Sequence, residues 1–270
     1  MWKKWFGIWA VAMMIVSTLA IVGCKKENEC KRENECKKET GKDDGEAEKL
    51  FQAGMREKND SEAVKCFKAA AEKGHVKAQS ILGTAYHEGI GGLPKDDKQA
   101  VYWWRKAAEQ GEAMAQHNLG VGYEHGEGGL PKDDKQAVYW YRKAADQGMK
   151  KAQFALGQCY ANGRGVPKDD KQAVYWWRKA AAQGYADAQY NLGVCYGHGR
   201  GGLPKDDKQA VYWYRKAADQ GMKEAQYNLG AFYANGWGVA KDLEQAVFWL
   251  RKAAAQGFEP AKQALKKLGY

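Results

Sequence analysis

The chain has 270 residues, with 43 Lys and Arg against 33 Asp and Glu and a net charge of +10. A basic excess of that size would point to nucleic acid or an anionic surface if it were gathered into one patch. Instead the bases recur along the chain and four of the five recurrences carry an Asp-Asp pair, the fifth Asp242 and Glu244, the pattern of solvated helix faces, so nucleic acid is excluded as the expected partner.

Residues 1–23 read as an address segment. Lys3 and Lys4 make a short basic start, Phe6 to Val22 is an apolar run, and the run closes on Ile21-Val22-Gly23-Cys24. That ending resembles the bacterial lipobox, which implies that Cys24 is lipidated and becomes the mature N-terminus. An uncleaved membrane helix is the alternative, since the run sits at the lower edge of what spans a bilayer. Lys25 follows the cysteine, and with no aspartate there the resemblance implies passage to the outer membrane where the cell has one. The expected location is exported and membrane-anchored, periplasmic or outer membrane.

Residues 24–45 read as a disordered charged tether. Lys25 to Cys30 and Lys31 to Cys36 are two copies of one six-residue, mixed-charge unit with almost no apolar content. No histidine accompanies Cys30 and Cys36, so a disulfide in an oxidising compartment is expected rather than zinc.

The globular part, 46–270, repeats itself. Leu50 to Gly74 is a degenerate helix pair, with Phe67 in the place later held by Trp104 and Cys66 in that of Trp103. First helices then recur at Ala78–Tyr86, Ala115–Tyr123, Ala152–Tyr160, Ala188–Tyr196 and Ala225–Tyr233. Second helices follow Pro94, Pro131, Pro167, Pro204 and Ala240 and end at Gly111, Gly148, Gly184, Gly221 and Gly257, spaced by 37, 36, 37 and 36 residues. Asp96 or Asp97 caps the helix start and the glycine permits a left-handed stop. At ~100° per residue, Ala100, Val101, Trp104, Ala107 and Ala108 share one apolar arc, with Trp103 on its shoulder and Tyr102, Arg105 and Lys106 facing elsewhere. Ala261 to Tyr270 reads as a closing helix. A fixed period of this length marks a stacked array in which no single unit buries its own apolar face.

The recurring Ala-Gln-x-x-Leu-Gly-x-x-Tyr, Gly-x-Gly loop and Asp-x-x-x-Ala-x-x-Trp-[Trp/Tyr]-x-Lys-Ala-Ala-x-x-Gly resemble the Sel1-like repeat of the tetratricopeptide superfamily, over about residues 46–270 in six units. The resemblance implies an all-α fold, a right-handed α-solenoid of antiparallel helix pairs that acts by binding protein. It also carries an enzymatic alternative, because cysteine-rich members of the family bear a β-lactamase or penicillin-binding label. The residues do not support it: Ser17, Ser61 and Ser80 are the serines, and none begins a Ser-x-x-Lys. The loop glycines from Gly89 onward lack the preceding strand and the Gly-Lys-Ser/Thr of a phosphate cradle, so they read as turns. The five histidines lack metal spacing, and no metal or cofactor is expected. Cys66, Cys159 and Cys195 come one per unit and read as small buried apolar residues.

In tetratricopeptide-like arrays the first helix of each pair lines a concave groove, which directs the search for a partner site. Ser80, His117, Phe154, Tyr190 and Tyr227 form one row there, and the three rings are expected to make a stripe that binds partners. Glu88, His125, Asn162, His198 and Asn235 form a second row, where C-capping is an equal reading. Tyr102, Tyr139, Tyr175, Tyr212 and Phe248 form a third, on the second helices. The expected function is a non-catalytic protein–protein interaction scaffold or adaptor of the bacterial envelope, held to the membrane by its lipidated N-terminus, with peptidoglycan or another envelope polymer as a further candidate partner. A peptidoglycan- or β-lactam-directed hydrolase and a glycan-binding module are the alternatives.

Overall fold

The computed structural model describes residues 44–270, which form helices and, among the described residues, no strand. They fall into two compact units divided between Asp133 and Asp134. The first holds α1 (Asp44–Arg56), α2 (Asp60–Glu72), α3 (Val76–Glu88), α4 (Asp97–Glu109) and α5 (Ala113–His125). The second holds α6 (Asp134–Asp146), α7 (Lys150–Asn162), α8 (Asp170–Ala182), α9 (Ala186–His198), α10 (Asp207–Asp219), α11 (Lys223–Asn235), α12 (Leu243–Ala255) and α13 (Glu259–Lys267). The address segment, Cys24, Cys30 and Cys36 lie outside the described residues. α1 begins at Asp44, two residues inside the stretch expected to be tether. Its negative charge suits a helix N-terminus, and Ala47, Leu50 and Phe51 one turn further on are buried.

The second helices start and stop as their sequence dictates. Asp96 sits in extended backbone and its carboxylate accepts from the Lys98 and Gln99 amides. Asp169 does the same for Lys171 and Gln172. Asp97 is therefore not the cap but the first helical residue. At the other end the Gly111 amide donates to Ala108 and the Glu112 amide to Ala107, a Schellman closure that needs the left-handed φ of 93° at Gly111.

Cross-helix bonds show that each pair is antiparallel. The Asp96 amide donates to the Tyr86 carbonyl at 2.8 Å, Trp104 Nε1 to Thr84 Oγ1 at 3.4 Å and Gln110 Nε2 to Gln79 Oε1 at 2.8 Å, so the end of α3 meets the start of α4 and the reverse. The apolar arc of α4 is buried as read, and Trp103 is buried with it. The tight approach depends on the Leu-Gly of the first helix. A Cβ on Gly83 would stand 2.5 Å from Trp104 Cδ1, and one on Gly157 equally close to Trp177. Successive pairs are tied by a buried glutamine. Gln189 Nε2 donates to the Ala181 carbonyl near the end of α8, while its Oε1 accepts from Gln220 at the end of α10 at 2.7 Å. Gln153 with Ala145 and Gln183, and Gln226 with Ala218 and Gln256, repeat this link. A polar group buried with both ends bonded joins three helices in fixed register.

Candidate functional site

The first-helix row is covered by its neighbours: Ser80 is buried, and His117, Phe154, Tyr190 and Tyr227 are half-buried. Ser80 donates to Glu112, the residue that caps α5, at 2.8 Å. Phe154 packs on Tyr185, the residue before α9, with ring centroids 5.2 Å apart, and Tyr227 packs on Phe258, the residue before α13, at 5.5 Å. Tyr190 lies 5.8 Å from the Tyr214 ring. Burial, with the charge of Glu224, pushes the Tyr190 phenol above its ordinary range, although a bond to Asn228 opposes the shift. Phe154 and Tyr227 thus have a packing partner in the following pair, whereas the Tyr190 ring packs on the second helix of its own pair and bonds Asn228 of the following one; all three rings are half-buried.

The second row is exposed at Glu88, His125, Asn162, His198 and Asn235, each the last residue of its helix before a left-handed glycine. Asn235 turns its amide back to the Ala231 carbonyl at 2.8 Å.

The third row is the most open. Tyr102, Tyr139, Tyr175, Tyr212 and Phe248 are 47–48 % exposed. Each is set nearly perpendicular to the following tryptophan, and a lysine four residues on lies over both rings. For Tyr175 and Trp176 the interplanar angle is 82°, with Lys179 Nζ 4.9 Å from each centroid. The cation over the ring face restrains a side chain that is otherwise free to roam.

An arginine beside each of these lysines was not singled out in the sequence. Arg142, Arg178 and Arg215 donate to Tyr160, Tyr196 and Tyr233 in the next first helix, at 2.9 Å for Arg178. The spacing of 18 residues in all three cases is the signal that would have found them. Around α8 these groups line a shallow groove of about 550 Å³ formed by Lys171, Val174, Tyr175, Arg178, Lys179 and Ala182 against the loop Gly201-Gly202-Leu203.

The cysteines behave as small apolar residues. Cys66, Cys159 and Cys195 are buried, and burial pushes the Cys195 thiol up to about 11. Among the described residues no group of three or more His, Cys, Asp or Glu is gathered for a metal, and no helix is long and apolar enough to cross a membrane.

A model of the Sel1 repeat matches residues 45–75, 76–112, 113–149, 150–185, 186–222 and 223–258. Among solved structures, the chain is similar to a protective antigen of uropathogenic Escherichia coli strains that displays an SLR fold. The identity is 37 % and the TM-score 0.75, over 80 % of this chain and 47 % of that one. It is also similar to a Sel1 repeat protein from Oxalobacter formigenes, at 35 % identity and a TM-score of 0.69, over 78 % of this chain and 86 % of that one. The chain thus spans about half the length of the Escherichia coli protein. No curated protein matches it. Six consecutive matched segments and the helix pairs that they form place the chain in the Sel1 repeat family, with its all-α solenoid fold.

Proposed function

We propose that the chain is a non-catalytic scaffold for protein partners at the bacterial envelope, exported and anchored by a lipid on Cys24. The observation that carries the reading is the exposed aromatic–lysine pair repeated on five second helices. Catalysis converges unlike groups on one reacting atom. Here like groups recur at unit spacing, which suits an extended partner that meets several modest contacts in turn. Export is supported by the apolar run ending at Cys24 and agrees with one relative being a protective antigen.

Crosslinking of the anchored protein in its own cells, followed by identification of the adducts, tests the scaffold. Discrete protein adducts are expected, and turnover of a chromogenic β-lactam by the purified chain would replace the reading with a hydrolase. Cys24→Ser tests the anchor: acyl labelling should vanish and the protein should leave the membrane fraction. A wild-type chain with no acyl mass and the same detergent partitioning as Cys24→Ser would remove the lipid anchor from the account.

A further inference from the structure

We infer that the groove along α8 binds an acidic peptide segment, with carboxylates on Lys171, Arg178 and Lys179 and an apolar side chain on the floor made by Val174 and Leu203. This rests on the scaffold reading and names the chemistry of one partner site within it.

Charge singles out α8 among the second helices. At the end of the solvent face α4, α6 and α10 carry Glu109, Asp146 and Asp219, where α8 carries Ala182. α12 has Ala255 there but places Glu244 where α8 has Lys171. The α8 groove is therefore lined by three cations and no carboxylate. The nearby Asp170 pairs with Lys168 at 3.9 Å.

Two of the three cations have partners that hold them before any ligand arrives, and the stem of the third is packed. Lys179 lies over Tyr175 and Trp176, and Arg178 donates to the Tyr196 hydroxyl. The stem of Lys171 runs beside Gly202, where an added Cβ would meet its Cγ and Cε at 3.2 Å. Side chains ordered in advance lose less entropy on binding, and an arginine among fixed lysines suits carboxylate recognition. The floor decides between polyanions. Half-buried Leu203, packed over buried Val174, offers an apolar contact that suits a leucine-sized side chain, which a charged polysaccharide lacks. Tyr175 carries Lys179 over its ring and Trp176 against its edge, so a sugar stacking there would have to displace the lysine.

The test uses the full-length chain and a fluorescein-labelled peptide, Glu-Leu-Glu-Glu-Leu-Glu, followed by anisotropy. Salt-sensitive binding is expected, and Lys171→Glu with Arg178→Glu and Lys179→Glu should weaken it at least tenfold. Ala182→Asp installs the acid that α6 and α10 already tolerate. It should weaken binding several-fold while the melting temperature and circular dichroism stay those of the wild type. An all-Ser peptide of equal length should not bind. Peptide binding indifferent to Ala182→Asp and to the triple reversal would overturn the inference. So would a sulfated polysaccharide that binds more tightly than the peptide through the same residues. If the peptide fails to bind while cellular crosslinking still captures proteins, the groove assignment falls and the scaffold stands. If both fail, the scaffold reading falls with it.

Discussion

Trp177→Ala is the sharpest test of how the array is held together. The indole is buried in a cluster with Ala173, Val174, Ala180, Ala181, Ala188, Leu192 and Cys195, and its edge rests on Gly157. Removing ~200 Å² of buried ring at ~25 cal/mol per Å² gives ~5 kcal/mol, in line with the ~3–5 kcal/mol seen when a large core aromatic becomes alanine. At a urea slope of ~2 kcal/mol/M that is a fall of roughly 2 M in the midpoint, read by circular dichroism. Two comparators isolate the cause. Phe248→Ala removes a ring that is 47 % exposed and should cost under ~1 kcal/mol. Trp177→Phe keeps most of the volume and deletes an indole N–H that is buried without an acceptor among the described residues, so it should cost less than ~1.5 kcal/mol. Equal losses for Trp177→Ala and Phe248→Ala would refute the assignment of helix faces.

Gly157→Ala should destabilise by ~1–3 kcal/mol, because its Cβ would lie 2.5 Å from the Trp177 ring. In a Trp177→Ala background the same change should become neutral or stabilising in urea titrations, and an unchanged penalty there would show that the ring contact is not the cause. Gln189→Leu removes one donor to the Ala181 carbonyl and one acceptor of the Gln220 amide, which keep the Gly184 amide and the Lys216 carbonyl, so a loss of ~0.5–1.5 kcal/mol is expected and a neutral result would mean that the glutamine link is ornamental. Burial raises the Cys195 thiol from 9.0 to about 11, so the folded chain keeps a proton that the unfolded chain releases between those values. The stability tied to that proton is complete below pH 9 and is lost as pH rises through 11, and Cys195→Ala should flatten that part of the melting profile.

Much of the fold is written in the period. Gly111 and its equivalents fix where each second helix stops, Asp96 fixes where it starts, and the arc from Ala100 to Ala108 fixes which face is buried. The open row at Tyr102 and its equivalents was legible for the same reason, since its residues lie opposite the arc. The first-helix row was harder. Phe154 and Tyr227 point away from the stripe of their own pair, and a reading of one pair at a time cannot see that Tyr185 and Phe258 of the next pair come down on them, while Tyr190 packs on Tyr214 of its own pair. The buried glutamine was hidden by its polarity, because its partners are backbone carbonyls and a glutamine some 30 residues on. The α8 groove depends on the missing acid at Ala182 together with Lys171 where α12 has Glu244, a combination that stands out only once Lys171, Arg178 and Lys179 are known to line one surface.

Site-resolved photocrosslinking in the native cells tests the scaffold most directly. A photoreactive phenylalanine replaces Tyr175 on the open face of α8 in one strain and Phe154, the half-buried ring of α7, in another. The account predicts a discrete protein adduct at position 175 that Ala182→Asp diminishes, with weaker or different adducts at position 154. Irradiation that yields only glycan-linked adducts at both positions, or no protein adduct at either while the fold is intact, would contradict it.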